Sequence, residues 1–191
     1  MTGKLKAVLK AIDDANAADP KAEADGDTMR PAALLYGERM SAELARLFPD
    51  ACEILQIAAR GQHIERWKLA RDDYPEGRTG YLNWRRAQAA NHAARVGGIM
   101  RSGGYSTEDC ARASQLLQKQ GIKRDAEVQA LEDVICFVFL RWYFPGFAAK
   151  HTAEKVRNIV TKTARKMSDA GRTRALAEFE LPEELKIVFA D

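Results

Sequence analysis

Apolar residues recur at helical spacing along most of the chain, so helices are the first expectation. Over residues 4–17, Leu5, Val8, Leu9 and Ile12 fall at i, i+3, i+4 and i+7, the stripe of an amphipathic helix. The stretch "AADPKAEADGDTMRP" that follows is polar and short of apolar area, and predicts a loop over 19–31. "AALLYGERMSAELARLF" restores the period and stops at Pro49-Asp50, where Asp50 can cap a third helix through "ACEILQIAARGQH". Residues 68–83, "KLARDDYPEGRTGYLN", hold Pro75, Gly77 and Gly80, keep no period and predict a long irregular loop.

The period returns from about Trp84 to Met100, breaks at "SGG", and restarts behind Ser106-Thr107-Glu108-Asp109, a capping-box signature. "KQGIKRD" reads as a turn, with Gly121 ending one helix and Asp125 capping the next. That helix, Ala126 to about Tyr143, is apolar on most sides after Asp133 and predicts a central element. Beyond Pro145-Gly146, residues 150–170 predict a basic amphipathic helix, and "LPEELKIVF" closes the chain. No strand is predicted. The expected fold is all-α, a single-domain bundle over 1–191: N-terminal helix 1–18, polar loop 19–31, core 32–145 and helical extension 146–191.

Composition changes this little. The 191 residues suffice for a sizeable core, and a formal charge of +3 is too small to mark a nucleic-acid binder by itself. Three cysteines without a CxxC spacing predict reduced thiols. The N-terminus has no apolar run of signal-peptide length, and "VICFVFL" is far short of the roughly 20 residues of a membrane helix. A cytoplasmic protein is expected, its oligomeric state unread.

Candidate chemistry is sparse. The chain has three histidines, His63, His92 and His151. His63 ends the third helix, His92 lies on the helix after the loop, and Glu132-Asp133 opens the buried part of "LEDVICFVFL". A carboxylate facing an apolar core is costly unless paired or bound to a cation, which singles out Asp133. His63, His92 and Asp133 form an N/N/O set acceptable to zinc, manganese or iron. The loop "RWKLARDDYPEGRTGYLNWRR" interleaves Arg66, Arg78 and Arg85 with Tyr81 and Trp84, forks for phosphate beside flat rings for a base. Arg60 and Gln62 precede this loop, and a second cluster with Lys119 and Lys123 precedes the Asp133 helix.

The phrases "LLYGERM", "AARGQHIERW", "DYPEGRTGYLNWRR", "NHAARV", "KRDAEVQALEDVICFVFL" and "FAAKH", in that order, resemble a domain-of-unknown-function family, DUF4202. The order of helices and polar pairs also resembles the HD-domain phosphohydrolases. That second resemblance implies an HD-like bundle whose first metal histidine falls on Tyr36, whose His-Asp pair falls on Gln62-His63, and whose final aspartate falls on Asp133. It implies a metal-dependent phosphohydrolase acting on a nucleotide or other phosphorylated small molecule. Glu132 and Asp133 would be catalytic, and Tyr36, Arg60, Gln62, Arg66, Arg78, Tyr81, Trp84, Arg85, Lys119 and Lys123 would contact substrate or phosphate. Two alternatives stand beside it. One is an inactive HD-like module that binds a phosphorylated ligand; the other is an RNA-associated helical module, for which the basic helix 150–170 speaks.

Overall fold

A computed structural model describes residues 2–190, and these group into two compact units, one ending at Gln120 and the other beginning at Gly121. The described residues are overwhelmingly helical, with ten α-helices and one two-stranded ribbon. No helix among them is long and apolar enough to cross a membrane.

The N-terminal unit holds α1 (Gly3–Asn16), β1 (Ala22–Asp25), β2 (Thr28–Pro31), α2 (Ala32–Leu47), α3 (Glu53–Arg60), α4 (Gly77–Ser102) and α5 (Thr107–Leu117). Thr2 caps α1 by accepting from the Leu5 amide, and the helix turns Leu5, Val8 and Ile12 inward as its period predicts. Met40, Leu44, Ile57, Val96, Met100 and Leu116 of the same unit are likewise buried, all at most 1% exposed. Burying a side chain of this size is worth about 1.5–3 kcal/mol, so this cluster is the unit's main source of stability. The capping box at α5 forms as expected, Ser106 and Asp109 satisfying each other's amides.

Two segments depart from the sequence expectation. The polar stretch 19–31 contains a hairpin, β1 pairing antiparallel with β2 from Ala22↔Pro31 to Asp25↔Thr28. Its two-residue turn, Gly26-Asp27, puts Gly26 at φ +59°, a conformation open to glycine at no steric cost. Ion pairs rather than apolar area hold the ribbon: Arg30 to Glu38 at 2.6 Å, and Glu23 to Arg39. In the second, the expected loop 68–83 holds a short 3₁₀ turn at Arg71–Asp73, behind another at Arg66–Lys68, and α4 then starts at Gly77, seven residues before Trp84. The glycine that reads as a breaker is a close approach: a Cβ on Gly80 would lie 1.8 Å from the Pro75 carbonyl oxygen. The first turn of α4 therefore closes over Pro75, which Arg71 braces by donating to the Tyr74 and Pro75 carbonyls at 2.8 and 3.0 Å.

The C-terminal unit holds α6 (Ala126–Val138), a π-helical stretch (Phe139–Tyr143), α7 (Phe144–Ala148), α8 (Ala153–Ala164), α9 (Asp169–Glu178) and α10 (Glu183–Ala190). Asp125 caps α6 as expected, accepting from the Glu127 and Val128 amides. Leu131, Val134, Phe137, Val160, Met167, Ala175 and Phe189 are buried and form the unit's core. The expected single helix 150–170 is two helices. Ser168 ends the run because its hydroxyl accepts from the Gly171 amide and starts α9 afresh.

Candidate functional site

Three glycine and turn contacts assemble a polar cluster in the N-terminal unit. Gly37 lets α2 approach the end of α3; a Cβ there would sit 2.9 Å from the Arg60 carbonyl oxygen, and its neighbour is Tyr36. Gly61 ends α3 against α4, where a Cβ would sit 2.5 Å from a Val96 methyl. Between them, the turn after α3 brings His63 flat against Tyr36, ring centroids 3.8 Å apart at 15°. His92, from the inward face of α4, lies 6.0 Å from His63. The segment after the turn is pinned to α4: Gln88 donates to the Arg66 and Leu69 carbonyls at 2.8 and 2.9 Å, and Trp84 donates to Leu69 at 3.2 Å. This leaves the Arg66 guanidinium over the Trp84 ring, 4.7 Å from its centroid.

Charge in this cluster is one-sided. Burial pushes the His63 imidazole well below its usual range, and the charges of Arg66, His92, Lys119 and Arg85 push the same way. His92 is pushed down to about 3, first by burial and then by Arg66. Both rings are therefore neutral at neutral pH. Arg66 is itself lowered, by burial and by Arg85, with Tyr36 and Tyr81 acting in the opposite direction. No carboxylate acts on any of the three. Neither Arg66 nor Arg85 has a carboxylate partner among the described residues; Arg85 reaches only the Tyr81 hydroxyl, at 3.4 Å. Glu65, one residue from Arg66, is taken by Lys68 and Arg95 at 2.8 and 2.9 Å.

Hydrogen bonding is equally incomplete. His92 and Gln62 are 3% and 7% exposed, yet His92 Nε2 and Gln62 Oε1 are buried without a partner. A buried polar atom left so costs about 1–3 kcal/mol, and native structures carry few of them. A partly desolvated guanidinium without a counter-ion is a further cost. Uncompensated positive charge suits an anion, and the unpartnered His92 nitrogen can donate to one; the Gln62 oxygen, an acceptor, cannot.

Asp133 is the opposite case. It lies in the C-terminal unit, 4% exposed, and its carboxylate is occupied. The Ser168 amide donates to Oδ1 at 2.8 Å, the Ser168 hydroxyl to Oδ2 at 2.5 Å, and the Gln129 amide to Oδ1 at 3.0 Å. Its position at the first turn of α9 adds the favourable end of a helix dipole. Burial of this carboxylate is thus balanced without a cation. Glu132, 1% exposed, faces Lys166 at 3.5 Å. Among the described residues no group of three or more His, Cys, Asp or Glu side chains gathers as a metal set.

The remaining expected contacts divide. Tyr36, Gln62, Arg66, Tyr81, Trp84, Arg85 and Lys119 belong to the segments of the cluster. Arg60 is instead locked to Asp13 of α1 by two hydrogen bonds of 2.6 and 2.8 Å. Arg78 is exposed and is not among the charges that act on His63, His92 or Arg66. Lys123, in the C-terminal unit, donates to the Met167 carbonyl at 2.5 Å. Sequence reasoning passed over Gln88, Gln129 and Ser168. Gln88 had a signal, since Trp84, Gln88 and His92 recur every four residues along one helix face.

Residues 6–188 match the family described as Domain of unknown function (DUF4202). The chain belongs to that family. No curated protein and no solved structure matches it. The cluster and Asp133 both fall inside the span of the DUF4202 match, which runs through both units.

Proposed function

We propose that this DUF4202 protein is a cytoplasmic, HD-like module that binds a phosphorylated small molecule or nucleotide in the polar cluster of its N-terminal unit. The observation that carries the reading is the Arg66 guanidinium, stacked on Trp84 without a carboxylate partner and acting on both buried imidazoles, with Arg85 and Lys119 acting on His63 as well. The Arg66 and Arg85 forks match phosphoryl oxygens, and Lys119 adds a point charge. His63 and His92, held neutral, each offer one ring N–H. Tyr81 and Trp84 provide flat faces at the rim, Tyr81 being 43% exposed.

A divalent metal ion fits this set poorly. Two imidazoles without a carboxylate are a thin donor set, and the cations beside these buried rings repel a further positive charge. The reading therefore gives no step to a metal, and gives Glu132 and Asp133 no chemical role. Two of the residues that would grip one in the HD pattern stand here as Tyr36 and Gln62.

Thermal melts and calorimetric titration at low salt, with pyrophosphate, adenosine 5′-monophosphate and ribose 5-phosphate, test the proposal. Stabilisation is expected from the phosphorylated compounds and not from adenosine or ribose. It should weaken at least tenfold in Arg66→Gln, the loss expected for one charge-assisted contact. No stabilisation by any phosphorylated compound overturns the reading. Release of inorganic phosphate when manganese or zinc is supplied would replace the binding module with an HD-type hydrolase.

A further inference from the structure

We propose that the ligand carries a hydrogen-bond donor, a hydroxyl or an amine, close to its phosphoryl group, and that Gln62 is the residue that reads it. This rests on the phosphate-binding reading and narrows it to hydroxyl- or amine-bearing phosphate esters, with Gln62 as a specificity determinant.

The argument turns on which atoms lack partners. A phosphoryl group at neutral pH offers only acceptors. It satisfies Arg66, Arg85 and the N–H of a neutral imidazole, and it cannot satisfy a carbonyl oxygen. Gln62 Oε1 is an acceptor, fully buried and without a partner, on the residue preceding His63. The whole carboxamide of Gln62 makes no hydrogen bond to the described protein, although the residue is 7% exposed. Bare phosphate would leave Oε1 as it is, or worsen it by bringing a second acceptor near. A donor on the ligand completes it. Two further buried atoms of this unit lack a partner: Asn16 Nδ2, a donor that a phosphoryl oxygen could satisfy, and His92 Nε2, which as a neutral imidazole nitrogen serves as either donor or acceptor. The residue that precedes His63 thus offers a buried acceptor, next along the chain to the imidazole on which the cations act.

The unliganded protein already bears the desolvation of Oε1, so a ligand donor gains nearly the full value of its bond. The carboxamide is also fixed before binding, since burial leaves it few rotamers. An apolar replacement of similar length removes this and relieves the unliganded state. Gln62→Met is therefore expected to move two readouts in opposite directions, the melting temperature up and selective affinity down.

The experiment titrates wild type and Gln62→Met with inorganic phosphate, phenyl phosphate, ribose 5-phosphate and adenosine 5′-monophosphate. In wild type, the two hydroxyl-bearing esters are expected to bind about tenfold or more tightly than phenyl phosphate and inorganic phosphate. In Gln62→Met that preference should fall to within about threefold, with inorganic phosphate bound no more weakly than by wild type. Ribose 5-phosphate matching the nucleotide would place the donor on the sugar; a preference for the nucleotide alone would place it on the base. Equal affinity of wild type for phenyl phosphate and ribose 5-phosphate overturns the inference, and this comparison needs no variant to fold. So does a Gln62→Met protein that keeps the full preference. If every phosphorylated compound fails, the phosphate-binding reading falls first and takes this one with it; if all bind alike, only this one falls.

Discussion

Asp133 and the pair Gln62–His92 are equally hidden from solvent, and they mean opposite things. The carboxylate of Asp133 receives three hydrogen bonds from Ser168 and Gln129 and sits at the first turn of α9. Gln62 Oε1 and His92 Nε2 receive none. Burial of a polar group is therefore no sign of a site in itself. What distinguishes the two regions is whether the fold around the group has already supplied its partners. Asp133 is finished architecture, joining the start of α9 to α6. A buried atom without a partner is not decisive either, since Gln129 Oε1 beside Asp133 is another; what sets the Gln62–His92 region apart is that its unpartnered atoms accompany an Arg66 guanidinium with no carboxylate partner.

The largest effect is expected where the architecture is finished. Asp133→Ala strands the Ser168 amide and hydroxyl hydrogen, leaves the Gln129 amide only its bond to the Lys166 carbonyl, and opens space against Gly171, whose absent Cβ would lie 3.0 Å from the carboxylate. A loss of about 4 kcal/mol in unfolding free energy is expected, read as a shift of the denaturant midpoint at unchanged slope. A midpoint within 1 kcal/mol of wild type would erase the contrast, because Asp133 would then be no more necessary to the fold than Gln62.

Next comes acid. His92 titrates near 6.5 when unfolded and at about 3 in the folded protein, held down by burial and by Arg66. Between those values the unfolded chain binds the extra proton, so stability rises with pH across the window and is lost as pH falls below about 6.5. At roughly 1.4 kcal/mol per pH unit, His92 alone removes about 2 kcal/mol by pH 5. His63 shifts in the same direction and adds to the loss. His92→Phe should flatten the slope between pH 6.5 and 5 by about one proton. Melts that are level over that range in wild type would mean the imidazoles are not held neutral, and the cluster would lose its electrostatic basis.

The fold was legible wherever local signals sufficed. Helix caps at Ser106 and Asp125 and the inward stripe of α1 follow from residue type and period alone. The misreadings have one cause: glycines and polar residues whose role is set by a distant neighbour. Gly80 reads as a breaker until Pro75 is seen beneath it, and Ser168 reads as helix surface until Asp133 is seen to take its hydroxyl hydrogen. The site was half legible for the same reason. Arg66, Trp84 and His92 stand out by type, but Arg60 is indistinguishable from them in sequence and is paired to Asp13 only in three dimensions.

A moderate effect separates Arg66 from Arg60. Arg60→Met removes one partner of a largely buried ion pair, 15% and 29% exposed, and should cost about 2 kcal/mol of stability while leaving ligand affinity within twofold. Arg66→Gln should do the reverse, with affinity down at least tenfold and stability level or raised, because the charge it removes has no counter-ion in the free protein. Double-referenced melts with and without ribose 5-phosphate read both quantities together. Should the two variants behave alike, the boundary between ion-paired scaffold and open cluster is drawn in the wrong place.

The smallest expected effect bounds the cluster from outside. Arg78 is exposed at the start of α4, carries the same charge as Arg85, and lies seven residues from it along the same helix. Only Arg85 acts on His63 and Arg66. Arg85→Gln should therefore weaken phosphate-ester binding about threefold to fivefold, and Arg78→Gln by less than twofold. Raising the salt should shrink the Arg85 difference, since an exposed charge is screened over a Debye length of about 8–10 Å at physiological ionic strength. A loss at Arg78 equal to that at Arg85 would make the cation surface a diffuse field instead of a bounded site, and the unfilled positions at Gln62 and His92 would then need a different occupant.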